Sequence, residues 1–193
     1  MQVRPPDETL LEPLLVALVD RAHRATLHRL RGIAGVLVGW AEIGLGADER
    51  ARLMARREEM EVLFARLDWL RLFLTAGPTL ERVRRGAAPE VLFAAALGTT
   101  PEEMAESLPC PADDTTRLGC ALWLQAVAPP ERAPSLRVER VAPGVGSVRV
   151  APDPPPPPEA WRRAFPALAA NLRGGELRFP CLDSSLQERA REA

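Results

Sequence analysis

His28 is the side chain here best suited to chemistry. It is one of only two histidines, and Arg21, Arg24, Arg29 and Arg31 surround it in sequence. An imidazole titrates near neutrality, so its unprotonated ring can act as a nucleophile. Fixed positive charge beside it attracts an anionic electrophile. A histidine on the outside of a helix, ringed by arginines, therefore suits an imidazole that carries a phosphoryl group. Arg24 and Arg31 stand four residues before and three after His28, the spacing that shares a helix face. They are the candidates for charge stabilisation. Arg21, Arg29 and Gly32 are the candidates for partner contact. A glycine inside a helix costs roughly 1 kcal/mol relative to alanine, so Gly32, Gly35 and Gly39 need a reason. Gly32, one turn beyond His28, would clear space for a docking protein, and close helix packing is the expectation for Gly35 and Gly39. His23 lies about 140° round the helix from His28. It reads as structural or solvated, and the pair is not expected to share a metal.

The other reactive side chains are Cys110, Cys120 and Cys181. Their spacing fits neither a zinc pair nor a CxxC redox motif, and reduced, buried thiols in a cytoplasmic protein are expected. No cofactor or metal site is expected.

The element holding His28 reads as one long helix. Pro5-Pro6-Asp7-Glu8 marks a start, and Pro13 either kinks the helix or marks its true first turn. Leu27, Leu30, Ala34, Leu37 and Ala41 form an apolar stripe to Ile43, where Gly44-Leu45-Gly46 ends it. A second helix over 47–76 carries Leu63, Leu67, Leu70 and Leu74 on one face. Arg52, Arg56, Arg57, Glu58, Glu59 and Glu61 occupy its other faces. Gly77-Pro78 stops it. The two form a long antiparallel hairpin, domain 1–77. Each helix hides one side only, so a homodimer completing a four-helix bundle is expected.

Residues 78–193 read as a small α+β domain, making the fold mainly α overall. Short helices are expected at 79–85, 89–97 and 101–107, and a longer one at 113–128. Ser135–Ala142 alternates apolar and charged residues as a strand does. Gly144-Val145-Gly146 reads as the turn and Val148–Val150 as the return. Pro154–Pro158 is a stiff surface segment. Trp161–Leu172 reads as a helix, Gly174-Gly175 as a turn, 176–179 as a third strand and 183–191 as a short helix.

Bulk properties narrow the classes. A hydrophobic content of 47% allows a real core, and a net charge of -1 predicts no nucleic-acid partner. All 25 basic residues are arginines. The N-terminus lacks a basic-then-apolar leader pattern. The run Leu10–Val19 is interrupted by Glu12 and Pro13, short of the ~20 residues a membrane span requires. No membrane association and a cytoplasmic location are expected.

His28-Arg29-Leu30-Arg31, followed by Gly39-Trp40-Ala41-Glu42-Ile43, resembles the phosphoacceptor helix of sensor histidine kinases, whose common pattern is HELRTPL and then GYAELL. His28, Leu30, Arg31, Gly39, Ala41 and Glu42 match, with Trp40 in the aromatic position. The His-Arg pair resembles the HRVKN form of HWE-type kinases. Arg29 replaces the usual acidic residue and Ile33 the usual proline. No asparagine box lies on 113–128 and no DxGxG stretch follows. A helical hairpin with a degenerate kinase-like α/β sandwich resembles the ChpT-type histidine phosphotransferases, and Trp69-Leu70-Arg71-Leu72-Phe73 is similar to their FFRLAFG segment. The resemblance implies a phosphotransfer protein in a two-component phosphorelay and not an ATP-dependent kinase. His28 would be its phosphoacceptor, and its partners a response-regulator receiver domain or a hybrid histidine kinase. Mg²⁺ would come from the receiver. A catalytically inactive regulatory or scaffold protein of the same fold is the alternative.

Overall fold

The computed structural model describes residues 10–43, 47–84, 88–128 and 135–181. The expected helix start at residues 5–8, the Gly44–Gly46 turn and the helix at 183–191 lie outside them. The fold is mainly helical, with one small four-stranded antiparallel sheet near the C-terminal end. The chain divides into two compact units. One joins the chain before Val19 to the chain from Pro78 onward, and the other is Val19–Gly77.

The Val19–Gly77 unit is made of two helices. Helix α1 (Glu12–Ile43) has Pro13 in its first turn, where its missing N–H costs nothing. Pro13 thus marks the start and makes no interior kink. Helix α2 (Ala47–Ala76) matches the expected span. Leu30, Ile33 and Leu63 form a buried cluster against which Leu37, Met60 and Leu67 pack. The stripe of α1 therefore runs through Ile33, whereas Ala34 is exposed. Both choices fit helical spacing. The branched side chain removes far more apolar area from water, so it wins the inward position.

In the other unit, helix α3 (Leu80–Val83) is shorter than expected and is capped by Thr79. Helices α4 (Ala88–Leu97) and α5 (Pro101–Ser107) fall close to their expected spans. Thr100 and Glu103 close a reciprocal capping box on α5. Helix α6 (Asp114–Val127) starts at Asp113, whose carboxylate accepts from Thr116 N at 2.9 Å and Thr116 Oγ1 at 2.7 Å. Burial alone would raise the Asp113 carboxyl, but these bonds outweigh it and hold it below its ordinary value. Helix α4 packs along α6, and its residues Val91 to Ala96 are all buried.

The sheet has the order β1 (Ser135–Ala142), β2 (Val145–Ala151), β4 (Glu176–Pro180), β3 (Leu172–Arg173). The turn between β1 and β2 is Pro143-Gly144, with Gly144 at φ 68°, and not Gly144-Val145-Gly146. Gly146 belongs to β2 because it lies opposite Phe179, whose ring leaves no room for a Cβ. Val148, Val150, Leu177 and Phe179 form the buried face of the two central strands. Phe179 meets Phe93 of α4 edge-on, with ring centroids 6.2 Å apart.

The expected helix over 161–172 is two helices, α7 (Glu159–Ala164) and α8 (Pro166–Ala170). Pro166 disfavours helical geometry at the residue before it, and Phe165 sits at φ -130°, ψ 62°. Leu172 then pairs with Leu177 as β3. Trp161, fully buried, donates from Nε1 to Gly119 O at 2.8 Å. All three cysteines are free and buried.

Candidate functional site

The candidate site is one face of α1 around His28. Its exposure follows from helix geometry. Leu30, Ile33 and Leu37 face α2, and His28 lies about 140–180° round the helix from each of them. It therefore points away from the packed seam, and its side chain is exposed. Arg24 and Arg31 lie within about 60° of His28 on the wheel, and both are exposed.

Packing divides the arginines that surround His28 in sequence. Arg24 is paired with Asp20 one turn earlier on α1, with both side chains largely in water. Arg29 sits about 100° from His28, on the flank beside Ile33, and crosses to α2. Its Nε and Nη2 each lie 2.7 Å from Glu59 Oε1. Glu59 also accepts from Arg56 Nη1 at 2.6 Å. Burial pushes the Glu59 carboxyl up, but the hydrogen bonds from Arg56 and Arg29 prevail and hold it below its ordinary value. Arg31 has no ion pair among the described residues. Arg21 is half-buried, as is His23. On the face that holds His28, Arg31 is an exposed arginine whose charge no carboxylate of the described residues offsets.

Gly32 is exposed, and a Cβ built on Gly32, Gly35 or Gly39 meets nothing within 4 Å. Close packing inside the described chain therefore does not account for Gly35 and Gly39. Gly32 leaves open surface one turn from the imidazole.

Glu59 is the residue of this region that sequence reasoning misplaced, as one of several charges on the outer faces of α2. The signal was present. Glu59 precedes Leu63 by one helical turn, so it shares the inward side, and its side chain is 23% exposed.

No group of three or more histidine, cysteine, aspartate or glutamate side chains is arranged to hold a metal ion among the described residues. None of the described helices is long and apolar enough to cross a membrane. No protein-family model, curated protein or solved structure matches the chain.

Proposed function

We propose that this chain is a histidine phosphotransfer protein of a two-component phosphorelay, carrying a phosphoryl group between receiver-domain aspartates on His28. The observation that carries the reading is an exposed imidazole midway along a 32-residue helix, on the same face as an arginine without a carboxylate partner. The neutral ring nitrogen attacks phosphorus. A P–N bond forms as the acyl P–O bond breaks, and the electron pair leaves on the aspartate oxygen. Reversal onto a second receiver passes the group on. The transition state is loose, so positioning and charge account for most of the rate. Arg31 meets the equatorial oxygens, and Mg²⁺ comes with the receiver's own carboxylates. Arg21, Arg24 and the open surface at Gly32 belong to the receiver's docking area, while Arg29 acts through its bridge to Glu59. In this reading the hairpin pairs with a second copy as a four-helix bundle. The α/β unit is a kinase-like domain without nucleotide chemistry, and the protein works in the cytoplasm.

The test mixes the protein with radiolabelled phospho-receiver domains from the same organism. Wild type should take up acid-labile, base-stable label. His28→Ala should take up none, and Arg31→Gln should transfer roughly tenfold more slowly, the loss expected for one charge-assisted contact. Binding without label on any receiver would refute the relay and leave the regulatory scaffold. Label retained in His28→Ala would refute the choice of residue.

A further inference from the structure

The α/β unit contains a cleft of about 490 Å³ that the phosphotransfer reading does not use. Its size lies within the range of small-molecule sites. One wall is the Pro154–Pro157 run between β2 and α7, and Leu172 of β3 adds to the apolar surface. Trp123 of α6 lines the cleft. That side chain is fully buried, and its Nε1–H has no acceptor among the described residues. Buried indole N–H groups are normally paired, and Trp161 in the same unit is, through Gly119 O. Trp123 thus sets a fully buried indole, its donor unpaired among the described residues, behind the wall of the cleft.

Two opposite charges line the same cleft without meeting. Arg162 of α7 has no ion pair among the described residues, although its neighbour Arg163 holds Glu159 at 3.3 Å. Asp153 has neither an ion pair nor a hydrogen-bond donor among the described residues. Its carboxylate lies over the β3–β4 turn, and a Cβ on Gly175, at φ 74°, would meet Asp153 Oδ1 at 3.1 Å and Pro154 Cδ at 2.7 Å. The glycine lets the acidic side chain and the proline wall close on the turn. The cleft thus presents a cation, an anion and an apolar wall.

We propose that this cleft binds a small zwitterion with an apolar body, of the α-amino-acid class. Arg162 takes its carboxylate and Asp153 its ammonium. The proline rings take its side chain, against the wall that Trp123 backs. The site is independent of His28.

Three ligands that share one ring and differ only in charge test this on the full chain. They are L-phenylalanine, 3-phenylpropionate and phenethylamine. The readout is the indole ¹⁵N–¹H resonance of Trp123, assigned among the four tryptophans by its loss in Trp123→Phe. Phenylalanine should shift it saturably, with each single-charge analogue binding at least roughly fivefold more weakly, the worth of one partly exposed ionic contact. Asp153→Asn should erase the advantage over phenylpropionate, and Arg162→Gln the advantage over phenethylamine. Both side chains are exposed, so neither change threatens folding. Equal binding of either analogue would overturn the proposal. So would no saturable shift up to roughly 10 mM, the weak end of small-ligand affinity, or binding that leaves Trp123 unmoved.

Discussion

Replacing Glu59 with glutamine should loosen the hairpin that carries His28. The carboxylate bridges Arg29 of α1 and Arg56 of α2, with N–O separations of 2.6–2.7 Å. The Arg56 pair is a three-residue contact within one helix, worth about 0.3–0.5 kcal/mol. The Arg29 pair joins the two helices, and both its side chains keep some exposure, 34% and 23%. Solvent screening holds such a pair to about 0.5–1 kcal/mol. Glutamine keeps the shape and removes the charge, so the loss should be about 0.8–1.5 kcal/mol at pH 7. For a chain of this length that lowers Tm by roughly 2–6 °C. The pH dependence follows from the depressed folded-state pKa of Glu59. A carboxyl depressed on folding contributes fully above its unfolded value, and loses that contribution as pH falls through its lower folded value. The difference between wild type and Glu59→Gln should therefore be largest near neutrality, begin to shrink near the ordinary carboxyl value of 4.5 and vanish below the lower folded value. Differential scanning calorimetry from pH 7 down to about pH 3 measures it. A double-mutant cycle with Arg29→Gln isolates the interhelical share. Equal melting at pH 7, or a gap that widens as the pH falls, would refute the bridge as a stabilising contact.

Two further outcomes rest on the packing of the α/β unit. Gly119→Ala should destabilise the protein by about 1–3 kcal/mol, read as a lower Tm, because the new Cβ falls 2.8 Å from Phe165 Cδ1 and closer still to Leu168 Cδ1. An unchanged Tm would mean that α7 and α8 slide away from α6 at little cost. A thiol reagent at pH 7.5 should label the native chain slowly and all three cysteines at once in denaturant. Burial pushes the Cys110 thiol up despite Arg117 beside it, and pushes Cys120 up further. Rapid stoichiometric labelling of the native protein would contradict that burial.

Local signals carried much of the architecture. The leucine spacing of 63, 67, 70 and 74, ended by Gly77-Pro78, delimits α2. Alternation marks β1. These signals are written in residues a few positions apart, so neighbours in sequence suffice to read them. Ile33 was different. It sits where two helical phases fit the pattern equally, and only the facing helix decides which phase is buried. The inward side of Glu59 was legible from its one-turn spacing to Leu63, and only its partner Arg29 on the other helix was not. The two-residue strand β3 had no pattern of its own, since it exists because Leu177 lies opposite Leu172. The break at Phe165 was legible and overlooked, because Pro166 already forbids a continuous helix there. The cleft was illegible for a plainer reason. Trp123, Asp153 and Arg162 come from α6, the β2–α7 connection and α7, and no spacing rule joins them.

The region around His28 shows why a count of charges is a poor guide to a site. Four arginines cluster there in sequence, which reads as a ring of positive potential. The fold places acidic groups among them. Asp20 lies one turn before Arg24, and Glu59 arrives from α2 to meet Arg29. A cation held by a carboxylate attracts an incoming anion far less than a bare one, because the pair's field falls off as a dipole. An anionic group reaching His28 therefore meets a stronger attraction at Arg31 than at Arg24 or Arg29. Arg29 serves the hairpin instead, fixing α1 against α2 and so fixing the direction in which the imidazole points. The residue next to His28 thereby acts through the frame, and a substitution there would change the geometry of the site more than its charge.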